Sequence, residues 1–174
     1  MELAHAKAIA HQIVEVITPH CALVDIAGSI RRQKPWVKDI EILCLLPNPN
    51  KMFMALQPFI LKVQKGKASG RYMQLWLKQG IMLDLFIPSP PDYYRQLAIR
   101  TGSSTFSNSV IATTWVKKGW RGTADGLRLS KECKKIGKKW ECTISNPTLP
   151  PEWASEKEFF NWLGIEYIEP EFRH

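Results

Sequence analysis

The chain has no Cys-x-x-Cys pair, only four histidines, and no run of about 18 apolar residues. The first two absences argue against a structural zinc site: Cys21, Cys44, Cys133 and Cys142 have no cysteine or histidine neighbour at a ligand spacing, and four reduced thiols are expected. The third excludes a bilayer-spanning helix, and no basic, then apolar, then small-residue leader opens the sequence. The expectation is a soluble, intracellular monomer, cytoplasmic or within a host cell if the source is viral, with no membrane partner. Acidic residues are also scarce, 16 Asp and Glu against 24 Lys and Arg, leaving a net charge of +8. Such a balance favours polyanionic partners, because each neutralised phosphate releases condensed counterions. His5, His11, His20 and His174 form no constellation with other ligands.

What is present is apolar surface: 45% hydrophobic residues, including seven Trp and seven Phe in 174 residues, which excludes a disordered chain. That length suits one domain or two small lobes sharing a cleft. From Leu3 to Ile17 apolar residues recur at three and four (Ala6, Ile9, Ile13, Val16, Ile17), predicting a helix with one buried face. Ala22–Ala27 reads as a strand, followed by a helical turn from Gly28 through Arg31 and Arg32. Val37–Leu46 reads as a second strand. After a turn at Pro47–Asn50, the spacing predicts a helix over Met52–Val63, then strands over Arg71–Leu77 and Ile81–Ile87. Pro88, Pro90 and Pro91 mark the expected boundary between two lobes, 1–88 and 89–174. Beyond it, helices are expected over Tyr93–Ile99 and Thr105–Lys118, flanking a polar turn at 100–104 in which Ser103 and Ser104 have capping chemistry. Short basic strands follow between Trp120 and Trp140, then a helix over Glu156–Leu163 and an extended tail. The fold class is α+β.

The alternation of the second strand puts Asp39 and Glu41 on one side, where two hard oxygen donors can share divalent cations. A D-x-E pair alone is more often a solvated strand face. Three neighbours change the balance. Gly28-Ser29 opens a short helix with Arg31 and Arg32 beside it, an arrangement that offers backbone N–H groups, a hydroxyl and guanidinium forks to a polyphosphate. Asp84 sits as a single carboxylate among apolar residues, where an unpaired charge is costly to bury. Finally, the Asp84 strand is a candidate sheet neighbour of the Asp39–Glu41 strand, which would bring three carboxylates to one edge.

Gly28 to Leu43, GSIRRQKPWVKDIEIL, resembles the G-S-x-R-R…D-x-[DE] signature of family X DNA polymerases, within the larger nucleotidyltransferase superfamily. Leu83-Asp84-Leu85-Phe86 resembles the family's third-carboxylate strand, Arg100-Thr101-Gly102-Ser103 its thumb turn, and Gly164–Arg173 (GIEYIEPEFR) its C-terminal ending. The resemblance implies a palm of mixed β-sheet and helices (1–88) followed by a small α/β thumb (89–174). No counterpart of the family's lyase and fingers domains is found in these residues, so a minimal palm-plus-thumb form is expected.

The resemblance also implies a chemistry. Asp39, Glu41 and Asp84 would be catalytic and would hold two Mg2+ ions, or Mn2+. Gly28, Ser29, Arg32, Thr101, Gly102 and Ser103 would bind the nucleotide, and DNA and deoxynucleoside triphosphates would be the partners. The basic stretch represented by Lys117, Lys118 and Arg121 would follow the nucleic-acid backbone, with Trp115, Trp120 and Trp140 available for stacking; lysine-covered surface over a tryptophan core is the plainer alternative. The sequence departs from the family at Glu41, where Asp is commoner, at Ile99-Arg100, which replaces a Tyr-Phe pair, and at Met82, which replaces an arginine. The leading expectation is a short-gap repair DNA polymerase. An untemplated transferase acting on an RNA end, a protein or a small molecule is the second reading, and a catalytically inactive nucleic-acid-binding module the third.

Overall fold

The computed structural model describes residues 1–45 and 48–174. The expected end of the second strand at Leu46 and the start of the turn at Pro47 lie outside the described residues. The fold is α+β, with two mixed sheets that share no strand. No helix among the described residues is long and apolar enough to cross a membrane.

The first sheet has the order β1-β2-β5-β4-β3, from strands Leu23–Ile26 (β1), Asp39–Leu45 (β2), Ile60–Gly66 (β3), Tyr72–Leu77 (β4) and Met82–Phe86 (β5). Only β2 and β5 run parallel; every other neighbouring pair is antiparallel. Alternation divides the sheet into two faces. Ile40, Ile42, Cys44, Met73, Leu75, Leu83 and Leu85 face helix α1 (Leu3–Ile17) and helix α3 (Pro49–Leu56), forming the larger core with Ala6, Ile9, Ile13, Ile17, Met52 and Leu56. Burying each such Ile or Leu contributes about 1.5–3 kcal/mol, so this face anchors whatever the other presents.

The other face carries Asp25, Asp39, Glu41, Leu43, Asp84 and Phe86. Helix α4 (Tyr93–Thr101) covers part of it, packing Tyr93 and Leu97 against Ala27, Leu43 and Phe86. The Tyr93 hydroxyl donates to Asp25 Oδ2 at 2.8 Å. The rest of the face opens into a cleft between the two sheets.

The second sheet has the order β7-β6-β9-β8: Trp120–Thr123 (β6), Gly126–Leu129 (β7), Cys133–Ile136 (β8) and Lys139–Cys142 (β9). Its core gathers Phe106, Ile111, Trp115, Leu127, Trp153, Phe159, Phe160 and Leu163. Helix α7 (Glu156–Leu163) starts where expected for a local reason: Ser155 accepts from Glu158 N at 3.2 Å while Glu158 Oε2 accepts from Ala154 N at 2.7 Å. Gly164, in the left-handed region with φ +80°, ends it.

Four expectations are corrected. The helix over Met52–Val63 stops at Leu56, because Pro58 breaks it, and Ile60–Gly66 is an edge strand. Helix α4 runs through Arg100 to Thr101, so the polar turn shortens to Gly102-Ser103. The following helix is not continuous: α5 (Ser104–Phe106) passes through a π-helical segment, Ser107–Ala112, into α6 (Thr113–Lys117). The tail is not simply extended, since Pro170–Phe172 forms a 3-10 turn that places Arg173 wholly inside the protein.

Candidate functional site

Glu41 and Asp84 are register partners across the parallel β2–β5 pair, and Asp39 lies opposite Met82 one step earlier on the same face. The three carboxylates therefore share a sheet face in the middle of the sheet, not an edge. Burial raises Glu41 most, Asp39 adds to it, and Asp84 adds further against the pull of Arg100 and Arg32, leaving its pKa at about 7. Asp39 is also held above its usual value, by burial first and by Asp84 second. Crowded like charges of this kind favour a proton or a cation on the group. The donor set is entirely hard oxygen, suited to magnesium, although no three His, Cys, Asp or Glu side chains among the described residues form a ready-made cage. Asp84 Oδ1 accepts from the Tyr72 hydroxyl at 2.9 Å, and Tyr72 is pushed to about 12 by burial and by that bond.

Gly28 explains how the Gly-Ser turn meets the carboxylates. It has φ +61°, and a Cβ there would stand 1.9 Å from Glu41 Oε2. Only glycine lets helix α2 (Gly28–Arg31) rest on the Glu41 carboxylate. Beside it, Ser29 Oγ and Arg32 Nε are buried without hydrogen-bond partners. Buried polar atoms are seldom left unpaired, so both have donor capacity to spare.

The two consecutive arginines also join the lobes. Arg32 Nη1 donates to the Thr101 carbonyl. Arg31 donates to Thr101 Oγ1 at 2.7 Å and, through both terminal nitrogens, to Glu156 at 3.1 and 2.9 Å. Glu156 in turn accepts from Arg173 at 2.6 and 3.1 Å and from the Tyr167 hydroxyl at 3.1 Å. Burial alone would raise Glu156, but the bonds from Arg173 and Arg31 outweigh it and hold the carboxyl below its usual value. Thr101 is thus fully enclosed. Gly102 has a packing reason of its own, as a Cβ would lie 2.6 Å from the Phe106 ring and 2.8 Å from Ser107 Oγ. Ser103 caps α5 by accepting from Phe106 N at 3.0 Å.

Arg100 is the residue that sequence reasoning undervalued, singled out there only as a departure at the thumb turn. Its guanidinium lies 4.0 Å from the Phe86 ring centroid, and burial lowers it while Glu41 raises it. Three cavities meet at Glu41. One of about 550 Å3 extends past Asp84, Tyr72, Lys65 and Arg71; one of about 600 Å3 runs beneath Arg95, Gly102 and Trp115; and one of about 430 Å3 opens beside Asp39, Ser29, Arg32, Lys34, Trp36 and Lys38. Arg100 lines the first two, Arg32 the second and third.

Lys117, Lys118 and Arg121 line none of these three cavities. Arg121 stacks over Trp140 at 4.7 Å and Lys118 approaches Trp162 at 5.7 Å, so both rest on the tryptophans of the second lobe. Lys117 is exposed at the end of α6.

Residues 96–174 match the family described as the DNA polymerase beta thumb. The match relates this part of the chain to family X polymerases and ends short of the carboxylate-bearing sheet. A search of curated proteins finds no match.

Proposed function

We propose that the chain is a divalent-metal-dependent DNA nucleotidyltransferase that adds deoxynucleotides to a primer 3′-hydroxyl in short gaps, with residues 1–88 as its palm and 89–174 as its thumb. The observation that carries this reading is the register pairing of Glu41 with Asp84, with Asp39 on the same face, at the meeting point of three cavities. The thumb match in the second lobe supports a nucleic-acid substrate.

Asp39, Glu41 and Asp84 would hold two Mg2+ or Mn2+ ions, which when bound lower the pKa of the attacking hydroxyl and neutralise the leaving pyrophosphate. The rest falls to side chains of this protein. Tyr72, bonded to Asp84, fixes the orientation of that carboxylate. Ser29 Oγ and Arg32 Nε turn their unused donor capacity to the triphosphate. Gly28 gives the closest approach of α2 to Glu41, and Gly102 and Ser103 border the nucleotide on the thumb side. Thr101 acts through the two arginines it anchors. Arg100 balances the charge of Glu41 when the site is empty and is placed to meet the sugar or base of an incoming nucleotide.

The test is primer extension on a one-nucleotide-gapped duplex with magnesium, each deoxynucleotide and ribonucleotide supplied separately, and Asp39→Ala as control. Template-directed deoxynucleotide addition that disappears in Asp39→Ala is the expected result. Addition indifferent to the template base would identify the untemplated transferase instead, a reading that Arg100 favours by standing where relatives carry an apolar ring. DNA binding without any addition would identify a binding module.

A further inference from the structure

The fold sets Cys133 and Cys142 directly opposite each other on the antiparallel β8–β9 hairpin. Opposed residues in such a ladder alternate between hydrogen-bonded and non-hydrogen-bonded pairs, and the latter bring side chains closest, with Cα atoms about 4.5 Å apart. The alternation can be read from the next pair outward, where Thr143 N donates to the Glu132 carbonyl at 2.9 Å, making Glu132–Thr143 a bonded pair. Cys133–Cys142 is therefore a non-bonded pair, and its separation falls inside the range that a disulfide requires without backbone movement.

The surroundings fit a reactive pair. Cys133 is buried and Cys142 half-exposed, so an oxidant meets Cys142 first. Both lie on the hairpin face that carries Lys135 and Trp140. The hairpin is bordered by Lys134, Lys135, Lys138 and Lys139 and joins the rest of its sheet through a single register pair, Thr123 with Trp140. Its base is better fixed: Glu132 accepts from Thr148 N at 3.0 Å and from Thr148 Oγ1 at 2.7 Å. Cys21 and Cys44 also lie against each other, but Cys44 is wholly buried on the core face of β2, with its Sγ toward the Phe86 carbonyl, where no oxidant reaches it.

We propose that Cys133 and Cys142 are a dithiol that closes to a cross-strand disulfide, stapling the lysine-bearing hairpin of the second lobe. With glutathione disulfide as oxidant, the Cys142 thiolate attacks one glutathione sulfur and expels the other as a thiolate, leaving a mixed disulfide. Cys133 then gives its proton to solvent and attacks Cys142 Sγ, expelling the second glutathione. Two protein thiols are oxidised and one glutathione disulfide is reduced to two glutathiones. The staple makes the hairpin one rigid unit although one strand pairing alone holds it to β6, and it fixes Trp140 beneath Arg121. This inference stands apart from the proposed catalysis.

The experiment exposes the full chain to glutathione disulfide, blocks remaining thiols, and examines tryptic peptides by mass spectrometry without reduction. Peptides 132–134 and 140–157 should appear joined, two hydrogens lighter than their sum, and separate on reduction. In Cys142→Ser the joined species should vanish and Cys133 should be blocked or carry a glutathione adduct. Recovery of both cysteines as blocked thiols in the wild type, at the level seen before oxidation, would overturn the proposal. A second readout is proteolysis of the native protein, since cleavage between Lys134 and Lys139 should slow in the oxidised wild type and not in Cys142→Ser. Equal rates would overturn the stapling role.

Discussion

Glu41 and Asp84 stand side by side on adjacent parallel strands, so each carboxylate is part of the other's electrostatic environment. Replacing Asp84 by Ala removes one of the proposed metal ligands without touching the lysines of the second lobe. Nucleotide addition should fall by about a thousandfold or more, the equivalent of the several kcal/mol that metal stabilisation of a phosphoryl-transfer transition state supplies. Gel-shift affinity for gapped DNA should stay within about twofold. Unchanged turnover would remove Asp84 from the catalytic set.

Gly28→Ala tests the contact between the Gly-Ser turn and Glu41. A left-handed backbone costs a non-glycine residue about 1–2 kcal/mol, and here the new methyl also collides with the Glu41 carboxylate. Denaturant unfolding should show at least that loss, and activity should fall further than stability because Glu41 is displaced. Wild-type activity in a folded Gly28→Ala protein would contradict the assignment of Glu41.

The Glu156 cluster gives a pH prediction. Its folded pKa lies below the unfolded value, so its ion pairs contribute stability that is present above the usual glutamate range and lost as pH falls through the folded value. Thermal unfolding from pH 7 to pH 3 should show this loss in the wild type and a flatter profile in Glu156→Gln. At pH 7 Glu156→Ala should cost about 3–5 kcal/mol, because Arg173 is left buried without its carboxylate.

Lys117 is expected to act on a nucleic-acid backbone as a charge and little else. Lys117→Ala should reduce the slope of log binding constant against log salt by about 1 and leave stability within about 0.5 kcal/mol. Arg121→Ala should lower the salt slope and also destabilise the second lobe, since its guanidinium packs on Trp140. Identical stability of the two variants would show that the Arg121 stack contributes nothing.

The carboxylate strands were legible because alternation and turn residues are local signals: Asp39, Glu41 and Asp84 lie on short apolar strands bounded by Pro, Gly or Asn. Strand β3 was not, for a physical reason. Its apolar residues Leu61 and Val63 face solvent at the sheet edge, and irregular register between Ile60 and Lys62 and between Val63 and Lys65 breaks the two-residue period. The helical spacing of the preceding segment ran on through it unopposed. Arg173 was hidden differently. Its burial depends on Glu156, 17 positions away, a carboxylate that it shares with Arg31 of the first lobe, and nothing near the C-terminus encodes that pairing. Arg100 was visible as an unusual residue, while its place between Phe86 and Glu41 is a product of tertiary packing.

The two lobes are tied at both sides of the carboxylates, by unequal means. Beside β1 and β2 the tie is the buried Arg31–Glu156–Arg173 cluster; beside β4 and β3 it is Arg71, which donates to the Ala124 carbonyl and reaches Asp125 at 3.0 Å with both side chains more than 60% exposed. Water and salt weaken the second and barely reach the first. The molecule thus has a spine and a clasp: as ionic strength rises the Arg71 tie is the one that loosens first, while the Arg31–Glu156–Arg173 cluster and the packing of Tyr93 and Leu97 on the first sheet hold.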